Sequence, residues 1–189
     1  MTDLFIAEPD GTCRVSLRRF RYGESGSEHY HNAMAVISES APEYGRDPDG
    51  IRRTPEDLIA HDDPRWPAAC GCGCQFTAAD SWQVIQHSWY EGGGHRFAWG
   101  IGAWEGPPGA MIRAEWADHP GRPPAWIVFL PNGTHWSTND RASAGGNRIG
   151  SYWDVTGEPP CITVHPSIDD RTPSREWHGW IRDGAFVNA

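Results

Sequence analysis

The sequence predicts a mainly β fold, an antiparallel sandwich or partly closed barrel with one or two short helices and a zinc-tied loop. Three observations lead there. Gly 22 and Pro 16 in 189 residues punctuate the chain with turn formers. The apolar runs between them are short, and several alternate with polar residues at the period of a half-buried strand. Trp 11 supplies large buried area from few side chains, which offsets a hydrophobic share of only 38% and argues against disorder.

Residues 12–22 read as the first strand, because Cys13, Val15 and Leu17 alternate with Arg14, Ser16 and Arg18. Residues 33–37 read as a second, followed by a loop over 39–53 with Pro42, Gly45, Pro48 and Gly50. Thr54-Pro55-Glu56-Asp57 is a helix start: Thr54 caps, Pro55 suits the first helical position, and the acids favour the positive end of the dipole. Asp62-Asp63-Pro64 and Pro67 keep that helix short. Residues 81–90 read as a strand on the β preference of Trp82, Val84, Ile85, Trp89 and Tyr90. Gly92-Gly93-Gly94 reads as a mobile break. Residues 95–104 and 110–116 read as two strands joined across Gly106-Pro107-Pro108-Gly109. Residues 125–130 form a buried strand, and Asn132-Gly133 predicts a tight hairpin into 134–137. A flexible loop over 139–150, a short strand over 161–164 and a terminal hairpin of 177–182 and 185–187 about Asp183-Gly184 complete the reading. The whole chain, 1–189, reads as one domain.

The formal charge is −9, so phosphate backbones would repel the chain and nucleic-acid binding is disfavoured. Every basic residue is Arg, and the one tight cluster, Arg18, Arg19 and Arg21, reads as a solvated strand face. No apolar run approaches the roughly 18 residues that span a bilayer, and no signal-like start precedes Asp10. Folding in a reducing cytoplasm is the expectation. Cys 5 is an odd number, and three of the cysteines alternate within five residues, which fits metal better than disulfides.

Cys70-Gly71-Cys72-Gly73-Cys74 is the chemically specific element. A tetrahedral zinc with bonds of about 2.3 Å needs its sulfurs roughly 3.8 Å apart. Alternate side chains of a flat strand stand about 7 Å apart. Gly71 and Gly73 are expected to take the positive-φ turns that close this gap. His29-Tyr30-His31 places two imidazoles on one strand face but reads as surface histidine. His87 and His95 are reserve ligands, and His119-Pro120 reads as an inert loop. Glu91, Asp80 and Asp118 are available as general bases, yet nothing fixes one near the cysteines, and neither His-Glu-x-x-His nor a deaminase pattern is present. Trp99, Trp104, Trp116, Trp126, Trp136, Trp153, Trp177 and Trp180 lie mostly inside apolar strand patterns and read as core rather than as a sugar-binding face.

The run Cys70 to Gln75 resembles the Cys-Pro-Cys-Gly-Cys-Gly signature of an uncharacterised zinc-binding domain family. That family is widespread in tailed phages and also sits in bacterial ubiquitin-like conjugation operons. Pro166-Ser167-Ile168 and the hairpin His178-Gly179-Trp180-Ile181-Arg182-Asp183-Gly184 match its second signature. Leu130-Pro131-Asn132-Gly133 with Trp136, then Pro159-Pro160-Cys161-Ile162-Thr163-Val164, is similar to a conserved protein of actinobacteriophages. The resemblance covers the cysteine run and the chain from about Trp126 onward. It implies that Cys70, Cys72, Cys74 and His178 share one Zn2+. Gly71 and Gln75 depart from the pattern, as do Glu176 and Trp177 before the hairpin His, so Cys161, His165, His87 and His95 stay open as the fourth ligand. The expected function is a phage-encoded, zinc-stabilised structural or binding protein, such as a minor capsid, decoration or tail-associated component of the virion. Its expected partners are other phage structural proteins or further copies of itself, and its expected places are the host cytoplasm and the virion. The alternative is a zinc-dependent hydrolase or modifier acting in the host.

Overall fold

A computed structural model describes residues 2–21, 30–42, 59–100, 106–139, 152–172 and 175–189. The predicted helix start at Thr54, most of the 39–53 and 139–150 loops, and Trp104 lie outside them. The fold is mainly β, as the turn-rich sequence predicts. In chain order the strands are β1 (Phe5–Ile6), β2 (Glu8–Arg21), β3 (His31–Pro42), β4 (Ser81–Gly92), β5 (His95–Trp99), β6 (Ala110–Arg113) and β7 (Trp126–Phe129). They continue as β8 (His135–Ser137), β9 (Asp154–Thr156), β10 (Thr163–His165), β11 (Ile168–Thr172), β12 (Arg175–Arg182) and β13 (Ala185–Asn188). Among the described residues the helical element is a single 3-10 turn, Glu115–Ala117, where the expected 110–116 strand ends early. No helix among them is long and apolar enough to cross a membrane.

The chain divides into two compact units. The first comprises Met1–Asp10, Tyr90–Trp99 and Ala103–Ala189; the second comprises Gly11–Trp89 and Gly100–Gly102. In the first unit, one sheet runs β1-β6-β7-β8, with β1 parallel to β6 and the remaining pairs antiparallel. β7 is apolar on both faces because each face meets a core. Val128 joins Met111, Trp136, Ile162, Val164 and Ile181 on one side. Ile127 and Phe129 join Ala7, Phe97, Ala110 and Ile112 on the other. A run such as Ile127-Val128-Phe129 is the sequence mark of a strand covered twice.

A second sheet of this unit runs β11-β12-β13, with β12 central. Along β12, Trp177, Gly179 and Ile181 are buried while Glu176, His178 and Arg182 are exposed, so the strand packs one face and presents the other. Gly179 is demanded by that packing. A Cβ there would stand 2.4 Å from the Val187 carbonyl oxygen and 2.7 Å from the Trp177 indole. The β12–β13 hairpin turns on Asp183 (φ 47°) and Gly184 (φ 77°), both left-handed, as a two-residue turn between twisted strands requires. Gly93 and Gly94 (φ 55° and 79°) close the β4–β5 hairpin in the same way. The expected mobile break at the triple glycine is therefore a tight turn. β5 and β6, expected to join as a pair, belong to different sheets.

In the second unit, β2 lies beside β3 with register shifts around Val15, and the irregularity buries Val15 and Ser16 together. Cys13, Val15, Leu17, Trp66 and Val84 form its core. Cys13 is thus packing, not chemistry. The arginines of β2 do more than meet solvent. Arg21 grips Asp80 through two hydrogen bonds and reaches the Gln75 carbonyl, while Arg19 donates to the Thr77 carbonyl at 2.7 Å.

Candidate functional site

The β11–β12 ladder sets Asp169 directly opposite His178, with Ile168 opposite Gly179. Ser167 immediately precedes β11, and its Oγ lies 3.0 Å from His178 Nε2. The nucleophile and base types needed for acyl transfer thus meet within hydrogen-bond reach. An open cavity of about 310 Å³ beside the imidazole is lined by Asp169, Glu176, Trp177 and His178. The Trp180 ring lies 5.9 Å from the imidazole and carries the Arg182 guanidinium 5.1 Å over its own face. Of the other acids nearby in sequence, Asp170 accepts hydrogen bonds from Asn132 and Thr134, and Asp183 bonds Thr163. Both are committed to holding loops.

The cysteine run forms a second, separate group in the second unit. Ala69 and Gln75 bridge at its base, Cys70 donates its N–H to the Cys74 carbonyl at 2.9 Å, and Gly73 donates to the Cys70 carbonyl at 2.8 Å. Gly73 takes positive φ (92°), as expected; Gly71 is not among the positive-φ glycines. At the tip of this turn His31, Cys70 and Cys72 offer donor atoms that all lie within 4.8 Å of one another, a possible metal site. His31 Nδ1 stands 3.3 Å from Cys72 Sγ. The Cys74 N–H favours the Cys72 thiolate, but burial and the neighbouring Cys70 and Cys74 thiols outweigh it and push the Cys72 thiol up. A cluster of unshielded thiols resists ionising without a cation.

The four residues that the resemblance groups at one ion therefore sit in distinct settings. Cys70 and Cys72 join His31; Cys74 touches Cys72 but stands outside the group in which every donor neighbours every other. His178 belongs to the first unit and faces Ser167. His31 carried a signal in the His-Tyr-His run that surface exposure explained equally well. Ser167 carried one in the Pro-Ser-Ile tripeptide, eleven positions before His178, which metal coordination left unused. Cys161 and His165 are exposed, His87 is buried, and His95 stacks on Phe5. Of the carboxylates weighed as bases, two are structural: Arg21 holds Asp80 well below the ordinary range, aided by the Thr77 N–H, and Arg113 lowers Asp118; Glu91 is exposed and pairs with Arg96 at 3.4 Å.

Residues 123–189 match the family model described as bacterial ubiquitination-like system serine protease (BubE). No curated protein and no solved structure matches the chain. The family match overturns the phage reading. It names a serine protease family in place of an uncharacterised phage zinc-binding family, and a bacterial ubiquitination-like system in place of a virion. With it go the minor capsid, decoration and tail-associated roles and the phage structural partners. On sequence alone, Pro166-Ser167-Ile168 and the His178 hairpin read as signatures of a phage zinc-binding family, whereas they lie in the stretch that matches the protease family. The match covers Ser167 and His178 and does not reach the Cys70–Cys74 run.

Proposed function

We propose that this protein is a serine peptidase of a bacterial ubiquitination-like system, with Ser167 as nucleophile and His178 as general base. The observation that carries the reading is the 3.0 Å contact between Ser167 Oγ and His178 Nε2, inside the stretch that matches the protease family. His178 Nε2 takes the hydroxyl proton as Oγ attacks a scissile amide carbonyl. The imidazolium then returns that proton to the departing amine as the C–N bond breaks. Water, deprotonated by the same imidazole, cleaves the acyl ester and regenerates Ser167. Positioned proton transfer of this kind contributes roughly 10²- to 10⁴-fold. The open, exposed setting of His178 suits a protein or peptide chain as substrate, and partners are other proteins of such a system.

The metal group serves a different purpose in this reading. One imidazole and closely spaced thiols make a soft donor set suited to Zn2+, held by His31, Cys70 and Cys72, and Cys74, which touches Cys72 from outside that group, would close in as fourth ligand when the ion binds. Four protein ligands leave no open position, so the ion fixes the turn rather than activating water. His31 thus supplies the imidazole that the resemblance assigned to His178.

The test is reaction with a fluorophosphonate, which phosphonylates activated serines. Peptide mass spectrometry should find the adduct on Ser167, and Ser167→Ala and His178→Ala should abolish it. A folded wild-type protein that stays unlabelled, or carries the adduct elsewhere, overturns the assignment.

A further inference from the structure

A second pocket of the first unit has the makings of a ligand site that does not depend on the serine reading. We infer that the cavity walled by Arg122, Trp126, Thr138, Asn139, Val155 and Ile162 binds the C-terminal residue of a polypeptide, with an aliphatic side chain and a free carboxylate.

The cavity measures about 240 Å³ and combines three kinds of wall. Trp126 of β7, Val155 of β9 and Ile162 supply apolar surface from the larger core. Thr138 and Asn139 follow β8 and are buried, with 3% and 5% of their surface exposed. Each has spent only part of its hydrogen-bonding capacity. Thr138 Oγ1 accepts the Trp126 N–H at 3.0 Å, and Asn139 Nδ2 donates to the Ala117 carbonyl at 3.1 Å. Among the described residues the Thr138 hydroxyl proton and Asn139 Oδ1 meet no partner.

Arg122 is the third wall. Its Nη2 donates to the Trp153 carbonyl at 3.0 Å, and its Cζ lies 4.5 Å from the Tyr152 ring centre, so the guanidinium is held in place. Its Nε is buried without a partner. Arg21, Arg96 and Arg113 each hold an acid, but among the described residues no carboxylate pairs with Arg122. Glu158 also lines the cavity, exposed and outside any such pair. A poorly hydrated cation without a counter-charge, in a chain of formal charge −9, gains from an incoming anion.

The polar groups then select the ligand. Arg122 and the Thr138 hydroxyl donate, which suits a carboxylate. Asn139 Oδ1 accepts, so the same ligand must bring an N–H. An inorganic anion has nothing to bury against Trp126 and Ile162, and a fatty acid leaves Asn139 unsatisfied. A free amino acid brings an ammonium whose desolvation a neutral amide does not offset. The last residue of a polypeptide carries carboxylate, amide N–H and side chain together. The volume, below the roughly 300–1,000 Å³ of pockets for drug-sized ligands, suits one residue.

The probes are an acetylated tripeptide ending in leucine, the same peptide as its C-terminal amide, and N-acetyl-leucine. Each is titrated into the full chain and followed at the Trp126 indole N–H by NMR. The free carboxylate should bind roughly 10- to 100-fold more tightly than the amide, the worth of a charge-assisted hydrogen bond. Arg122→Gln should erase that preference. Val155→Phe, which fills the cavity and spares the guanidinium, should weaken both forms, and Ser167→Ala should bind like wild type. Equal affinity of wild type for carboxylate and amide overturns the site, as does an unmoved Trp126 signal, and this comparison decides alone if Arg122→Gln misfolds. Binding lost in Ser167→Ala would place the peptide at the serine instead and sink the proposal. N-acetyl-leucine binding where the tripeptide does not would show a pocket closed to a continuing chain and overturn the polypeptide as its source.

Discussion

The two units hold their chemistry by opposite means. In the first, Ser167 and His178 are placed by a ladder of strand pairs whose far side is packed with Ile168, Trp177, Ile181 and Phe186. Register alone brings the hydroxyl and the imidazole together, and the buried face prevents slippage, because a one-residue shift would turn the core residues outward. In the second, His31, Cys70 and Cys72 gather at a turn above a smaller core, and the thiols crowd one another unless a cation intervenes. A site made by register is preorganised by folding. A site made by converging thiols would be completed only when an ion binds.

The largest effect that would break this contrast is catalytic. Ser167→Ala and His178→Ala should each lower peptidase or acylation activity by roughly 10⁴-fold or more, with an unchanged thermal midpoint. A lowered midpoint would show the pair to be structural instead. Next comes metal. Purified protein should carry zinc in equimolar amount by elemental analysis. Chelation or Cys72→Ser should remove stabilisation on the order of 10 kcal/mol, read as an early, separate unfolding transition. Fluorophosphonate labelling of Ser167 in chelated protein should persist; its loss would make the ion a participant in the reaction. A smaller effect should come from Ile181→Ala, which empties a fully buried site under the dyad sheet and should cost about 2–5 kcal/mol by denaturant titration. It should also slow acylation. Leu17→Ala, equally buried in the other unit, should cost a similar amount and leave acylation unchanged.

The mildest test is acid. Arg21 and the Thr77 N–H hold the Asp80 carboxyl below its ordinary value of about 3.9. Its contribution is complete above that value and fades as pH falls through the depressed one. Melting curves between pH 6 and pH 2 should therefore show a drop, beginning near pH 4, that Asp80→Asn lacks; parallel curves would remove the pair from the stability account.

Much of the fold was legible because strand chemistry is local. The alternation of Cys13, Val15 and Leu17, the Asn132-Gly133 turn and the Asp183-Gly184 turn each state their structure within a few residues. What escaped was non-local. β1 is two residues long and exists through its pairing with β6, more than a hundred positions away. β11, with Asp169, Asp170 and Arg171 in succession, has no strand-like composition and is recruited by β12. The site followed the same division. Cys70 and Cys72 announced themselves by spacing, whereas His31 joins them across the β2–β3 pairing. Ser167 needed the partner of His178 to be known, since a lone serine beside proline has no chemical signature.

Gly179 leaves one last consequence for anyone screening this protein by mutation. It has no side chain to lend to the reaction, yet the Trp177 ring and the Val187 carbonyl occupy the space any larger residue would need. A saturation library there should return almost nothing but the parent amino acid. Its failures would imitate knockouts of the neighbouring histidine, and only an expression assay run in parallel would separate lost folding from lost reactivity.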